Sequence, residues 1–314
     1  MEFPLDDRRR RLPSTVPPGG HTVRDLHDAA LDAGEIRHAV GYGTLTPLGR
    51  GIYAAGDVDR AAALLEVLTD ERCAASHGTA AALLGLPEHE LRLPVHLTTP
   101  TAGFRVQRPE VVPHRSDVPE DQIVERAGIR CTSPARTWVD MAQTLPPLGA
   151  LVLADQILRP PRREFGEVGE ALAGPEELHE AVARRRGSRG IRQIRRVAEL
   201  ARVGVDSPRE TALRYAVHRA GLPDPRVNPR IGDEPGWTFQ PDLAFDAFRV
   251  AVQYEGTAVH SRSDQVLRDV RRADIAAALG WLEVRITKEH SVDDWRPAIR
   301  KIVQALLSRG WTGR

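Results

Sequence analysis

Residues 238–245 and 248–255 are two short runs rich in β-branched and aromatic side chains, the pattern of paired strands. The first run places a carboxylate, Asp242, directly after Pro241 inside an otherwise apolar stretch. The second carries Gln253 and Glu255 two residues apart, so both point to the same face of a sheet. Upstream, Ser207 caps a helix that runs to about residue 220, with Pro208 in its first turn and Glu210 near its positive end. Residues 226–231 are a weaker strand, because Pro229 interrupts them. A helix over 263–279, a strand over 281–287 and a helix over 294–308 complete the order α-β-β-β-α-β-α. That order predicts an α/β domain with one mixed sheet flanked by helices on both faces.

Two neighbouring strands that direct acids to one spot offer oxygen ligands for a hard cation such as Mg²⁺ or Mn²⁺. Such an ion polarises a scissile phosphate and lowers the pKa of an attacking water. Asp242, Glu255 and Glu210 are the candidate ligands, and Gln253 could coordinate through its carbonyl. Readings without a metal stay open: Asp242 as a turn or edge-strand residue, Glu255 as a surface strand end before Gly256. Arg268, Arg271 and Arg272, with Arg262 just before them, either track phosphates or form a solvated face paired with Asp269 and Asp274.

The remaining sequence, in a chain of 314 residues, is long enough for two or three domains. Residues 1–20 are rich in Arg and Pro and read as a disordered tail. Residues 21–58 hold a helix over 23–34, a second short helix or strand over 35–40 and a Gly- and Pro-punctuated ribbon, the outline of a winged helix. Residues 59–160 alternate helices and strands as a middle α/β module. Residues 161–204 are a basic helical linker, in which Arg192 and Arg195 belong either to a solvated connecting helix or to a phosphate-contacting arm. Residues 205–314 form the domain of the two carboxylate strands. His77, His96 and His114 lack ligand spacing and read as structural.

Three stretches carry family resemblances. "GEIRHAVGYGTLTPLGRGIYAAG" resembles the winged-helix segment of AbiEi-type antitoxin proteins, whose wing matches Gly43, Arg50, Gly51 and Tyr53. "SHGTAAALLGL" and "CTSPARTWVDMA" resemble the middle region of the same proteins, which implies a compact α/β module without a catalytic centre. "SPRETALRYAVHRAG", "FQPDLAF", "RVAVQYEGTAVHSR" and "RDVRRADIAAALGWLEVRIT" resemble the PD-(D/E)XK nuclease superfamily, in particular the DUF559 group related to very-short-patch repair endonucleases. By that resemblance Asp242 takes the motif aspartate, Gln253 and Glu255 the paired positions, Glu210 the helix acid, and His260 the histidine that assists proton transfer. Gln253 stands where an acid is usual, and no Lys is placed to orient the nucleophile.

The expected function is therefore a metal-dependent DNA endonuclease or nickase acting on double-stranded DNA. The alternative is a catalytically degenerate DNA-binding regulator of the AbiEi antitoxin type. A net charge of +1 argues for neither. The cations are almost all Arg, with Lys only at 288 and 301, a bias that weakens any inference from arginine count. Cys73 and Cys131 stand outside any C-x-x-C pattern, which argues against a zinc ribbon or redox dithiol and for a reducing, cytoplasmic setting, a disulfide between them being the alternative. No apolar run approaches the ~20 residues of a membrane span.

Overall fold

The computed structural model describes residues 12–102, 106–162, 167–234, 237–255 and 262–313, the side chains of 233–234 and 262–269 excepted. The chain divides into two units, Met1–Thr144 and Leu145–Arg314. Among the described residues it is a mixed α/β protein with eleven α-helices and four sheets.

Capping chemistry sets where the first helices begin. β1 (Gly19–Thr22) passes into α1 (Val23–Asp28) through a capping box: Thr22 accepts from the Asp25 N–H, and Asp25 accepts from the Thr22 N–H at 2.7 Å. The helix expected over 23–34 stops at Asp28, because Asp32 and Glu35 build a second box that starts α2 (Ala33–Gly41). β2 (Leu45–Gly49) and β3 (Ile52–Ala55) make the expected ribbon, turning at Arg50 and at Gly51, whose φ is +69°. β1 pairs antiparallel with β3, so Gly19 and Gly20, expected to close a tail, lie opposite Ala55 and Ala54. Val16 is also buried, so the segment joins the fold before residue 20; residues 1–11 lie outside the described residues.

α3 (Arg60–Leu68) packs directly on β1. Gly20 is required there, since a Cβ would lie 1.8 Å from the Ala63 carbonyl oxygen. β4 (Ala74–Ala75), α4 (His77–Leu83), β5 (Val95–Thr99), β6 (Val111–Arg115), β7 (Ile123–Arg126), β8 (Ile129–Thr132) and α5 (Pro134–Ala142) follow. The five strands order as β6-β5-β4-β8-β7, with Leu64, Leu65, Val95, Leu97 and Cys131 in the core beneath. Ser133 caps α5 and Pro134 fills its first turn. One turn on, the buried Arg136 donates to Asp140, Gln122 and Ser116 at 2.7–2.8 Å, so its charge is fully engaged. Cys73 and Cys131 are free thiols, each raised to about 11 chiefly by burial.

In the second unit, α6 (Pro147–Leu158) packs against α8 (Ile191–Leu200) and α9 (Pro208–Arg219), and α7 (Pro175–Arg184) packs against α8. The basic stretch expected as one connecting helix is broken at Gly187 and Gly190, which have φ of +82° and +78°. α8 then turns Ile194, Val197 and Ala198 inward, so it is part of a core and not a free connector. Asp155 of α6 is fully buried and accepts from Arg214 at 2.6 Å, from the Thr211 hydroxyl at 2.8 Å and from the Arg202 N–H at 2.8 Å.

β9 (Arg226–Val227), β10 (Ile231–Glu234), β11 (Trp237–Phe239), β12 (Leu243–Phe245), β13 (Val250–Glu255), α10 (Arg262–Ala278), β14 (Leu282–Thr287) and α11 (Arg296–Ser308) complete the chain. The strand expected over 238–245 is two strands in two sheets. β11 pairs with β10, whereas β12 joins a sheet of order β14-β13-β12-β9. Pro241 sits at the break, where its missing N–H would have cost a ladder bond. β13 and β14 run parallel, and β12 is antiparallel to β13. One face, bearing Leu243, Val252, Val284 and Ile286, packs on Leu213 and Val217 of α9 and Ile302 and Leu306 of α11. Ala251, on the other face, meets Ile275 and Ala276 of α10. Helices thus cover both faces of this sheet.

Candidate functional site

Asp242 directly precedes β12, and the Leu243–Val252 pairing sets it across from Gln253 on β13. Both of its oxygens are engaged: the Gln253 amide donates to Oδ1 at 2.8 Å and the Tyr254 N–H to Oδ2 at 2.5 Å. Burial, with the Glu210 charge second, pushes the Asp242 carboxyl up to about 7, against the lowering effect of those two donors. It is a carboxylic acid that changes charge near neutrality. Glu210, in the first turn of α9, accepts from the Ser207 hydroxyl at 2.9 Å, from the Asp206 N–H at 3.0 Å and from Asn228 Nδ2 at 2.8 Å. Its oxygens thus close the helix N-terminus and tie it to the chain just after β9.

Gln253 Oε1 is buried and has no hydrogen-bond donor among the described residues. Glu255 closes β13, and its Oε1 lies 3.3 Å from Arg285 Nη1 and 3.9 Å from Arg272 Nη2, without a hydrogen bond among the described residues. Arg272 of α10 reaches back to Glu283 of β14 at 2.9 Å. Two acids and two arginines therefore form one network beside Asp242. Arg272 belongs to this network, and Arg271 is exposed; the side chain of Asp269 lies outside the described residues. His260 lies outside the described residues, as do the side chains of Arg262 and Arg268. The structure thus brings Glu210, Asp242 and Gln253 together, with Glu255 at the far end. The carboxylates do not form a set with ligand atoms within 4.8 Å among the described residues.

Arg192 and Arg195 are exposed on α8. Arg192 lines a cleft of about 1030 Å³ together with Arg189, Arg196, Tyr215 and His218. Among the described residues Arg189, Arg192, Arg195 and Arg196 have no ion-pair partner. Guanidiniums have the fork geometry that pairs with anions of several oxygens.

His77, His96 and His114, whose spacing reads as structural, come together in the first unit. His96 Nδ1 and His114 Nε2 share a hydrogen bond of 2.9 Å, and the His77 ring stacks on His114 at a centroid distance of 3.5 Å. One ligand atom from each falls within 4.8 Å of the others, the only such set among the described residues. Burial lowers His96, and burial with the His96 charge lowers His114 to about 4. No local motif signals this cluster, because His96 and His114 stand 18 residues apart and meet only through the parallel β5–β6 pairing.

No helix among the described residues is long and apolar enough to cross a membrane. Residues 73–203 match the AbiEi antitoxin C-terminal domain, a range that starts after the ribbon of β2 and β3 and continues through α7 and α8. Two Mycobacterium tuberculosis proteins, "Uncharacterized protein MT2308" of strain CDC 1551 / Oshkosh and "Uncharacterized protein Rv2248" of strain ATCC 25618 / H37Rv, are each 30% identical over 256 residues, covering 81% of this chain and 88% of theirs. The crystal structure of RV2827C protein from Mycobacterium tuberculosis aligns with a TM-score of 0.42 at 15% identity, over 58% of this chain and 72% of that one. The chain belongs to the family of the two mycobacterial relatives MT2308 and Rv2248, and its residues 73–203 carry an AbiEi antitoxin C-terminal domain.

Proposed function

We propose that the protein is a DNA-binding regulator of the AbiEi antitoxin type. The observation that carries this reading is an arginine face made by α8 and the residues just before it, where Arg189, Arg192 and Arg196 line an open cleft without ion-pair partners among the described residues. That face lies inside the range matched to the antitoxin domain. Arginines left unpaired on a packed helix have no partner to give up when they engage phosphate, and they release counterions when they do. In the first unit, β1, α1, α2 and the β2–β3 ribbon have the element order of a reduced winged helix, with exposed Arg37 on α2 and Arg50 at the ribbon turn. We read that module as a second, separate contact to duplex DNA. The test is a mobility shift with double-stranded DNA from upstream of the protein's own gene, run with Mg²⁺ and with Mn²⁺. A salt-sensitive shift of intact DNA is expected; absence of any salt-sensitive binding contradicts the reading.

A second reading, a metal-dependent endonuclease or nickase of the PD-(D/E)XK type, is favoured by one observation. Gln253 Oε1 and Glu255 Oε1 are buried acceptors without hydrogen-bond donors among the described residues, beside a carboxyl raised to about 7. Spare oxygens next to acids are what a hard cation uses. The fit is partial, because Asp242 and Glu210 spend their oxygens on hydrogen bonds and Glu255 faces Arg285. In this reading Asp242, Glu255 and Glu210 would hold Mg²⁺ or Mn²⁺, with Gln253 as a carbonyl donor. His260 would assist proton transfer, and Arg262, Arg268 and Arg271 would lie along the phosphates. When bound, the ion would polarise the scissile phosphate and acidify a water. A nicking assay on supercoiled plasmid separates the readings: cleavage by the wild type that Asp242→Ala abolishes selects the enzyme. Intact plasmid in either metal selects the regulator.

A further inference from the structure

We infer that His77, His96 and His114 form a binding site for a divalent transition-metal ion, with Zn²⁺ the best match. The three rings come from three different elements: the start of α4, β5 and β6. Their pairing is built and not incidental. The β5–β6 register sets His96 opposite Val112 and Thr98 opposite His114, which puts both histidines on one face of the sheet. His77 is carried over that face by a left-handed backbone conformation, φ +51°, which residues with a side chain adopt only at a cost. In that conformation the His77 ring stacks on His114 at 3.5 Å, and its Nδ1 shares a 3.0 Å hydrogen bond with Ser76 Oγ.

Three imidazoles select the ion. Mg²⁺ and Ca²⁺ take oxygen ligands, whereas nitrogen sets suit Zn²⁺, Co²⁺, Ni²⁺ and Cu²⁺. In a tetrahedral zinc site with Zn–N near 2.0–2.1 Å, ligand nitrogens stand roughly 3.3 Å apart. The present nitrogens lie within 4.8 Å, with the closest pair at 2.9 Å; His77, stacked face to face on His114, has to turn off that stack so that its in-plane lone pair meets the shared ion. The ion would replace the hydrogen bond between His96 and His114 as the link between the two strands. All three rings are half-buried, which limits competition from water while leaving one side open.

His96 also lines a cleft of about 350 Å³ whose charged residues are the exposed Glu88, Glu90 and Arg92. The two glutamates outweigh Arg92 and favour the approach of a cation to His96. Three protein ligands is the ligand count of an open site, one that keeps water or takes an exogenous ligand.

The test uses the full chain, metal-stripped and without a histidine tag. Co²⁺ titration should give the visible d–d absorption of a low-symmetry nitrogen site, which Zn²⁺ displaces and Mg²⁺ leaves unchanged. His77→Ala, His96→Asn and His114→Gln should each lose the band. Because a variant could misfold, the wild type supplies a second readout: in long-range ¹H–¹⁵N spectra, Zn²⁺ should shift the rings of these three among the eleven histidines. Absence of the cobalt band, or zinc-induced shifts confined to other histidines, overturns the assignment.

Discussion

Asp242 holds its proton because burial and the neighbouring Glu210 disfavour the charged form more than two donors favour it. The linkage has a definite sign. The native state keeps the proton up to about pH 7, whereas the unfolded chain releases it near its ordinary value of 3.8. Between those values the native state binds more protons, so stability falls as pH rises through the window and levels off above it. The loss is on the order of 4 kcal/mol. Urea denaturation of the wild type between pH 4 and 8 should show this fall. Asp242→Asn should flatten it, since Gln253 can turn its amide and give its partnerless Oε1 to the new side-chain N–H. Parallel curves for the two proteins would refute the assignment. Asp155 is likewise raised by burial, against the opposing pull of the Arg214 guanidinium at 2.6 Å and of its other donors. Arg214→Met takes the ion-pair partner from that buried carboxyl and should cost about 3–5 kcal/mol, more than the double change Asp155→Leu with Arg214→Met. Equal losses in the single and double variants would contradict this. Arg214 and Asp155 are 59 residues apart, so their pairing is not legible in the sequence. Ser207, Pro208 and Glu210 are legible, because capping is local.

Elements show the same division between local and long-range causes. α5, α9 and the β2–β3 ribbon lie where their caps, prolines and glycines place them. α1 ends early because the Asp32–Glu35 box competes for the chain; Asp32→Ala removes that cap and should lower the thermal midpoint read by circular dichroism. An unchanged midpoint would mean that α2 is held by packing alone. The run over 238–245 reads as one strand because alternation continues through it. Which partners β11 and β12 choose depends on β10 and β13, and only the pairing reveals the split at Pro241. Charge alone makes α8 look like a connector, yet its period carries both faces: Ile194, Val197 and Ala198 inward, the arginines outward. Reversing charge with Arg192→Glu and Arg195→Glu should leave the fold intact, because both side chains are exposed. Near-ultraviolet dichroism checks the fold, and the same variant should bind duplex DNA at least about tenfold more weakly at low salt. Unchanged affinity would remove α8 from the interface.

At the scale of the molecule, the antitoxin domain at residues 73–203 spans the boundary between the two units at residue 144. The resemblance in the middle region is legible from its motifs, but its reach through α7 and α8 is not, because arginine-rich helices carry no motif of their own. The sheet of β9, β12, β13 and β14 has three strands before α10 and one after it, and its pairing sets Asp242 across from Gln253 while Glu255 stands apart at the end of β13. Function depends on what fills the remaining valences. Asp242 spends its two oxygens on Gln253 and Tyr254, Glu255 faces arginine, and the arginines of α8 face solvent. In the proposed reading, α8 is the anion-binding surface and binding, not cleavage, is the primary activity. The most direct test is the salt dependence of duplex DNA binding, plotted as log Kobs against log salt concentration. For the wild type a steep negative slope is predicted. For Arg189→Ala with Arg192→Ala and Arg196→Ala the slope should be shallower by about 0.9 for each phosphate that the variant leaves unneutralised, with the DNA intact in Mg²⁺. A triple variant with the wild-type slope, or DNA cut by the wild type but not by Asp242→Ala, would contradict the account.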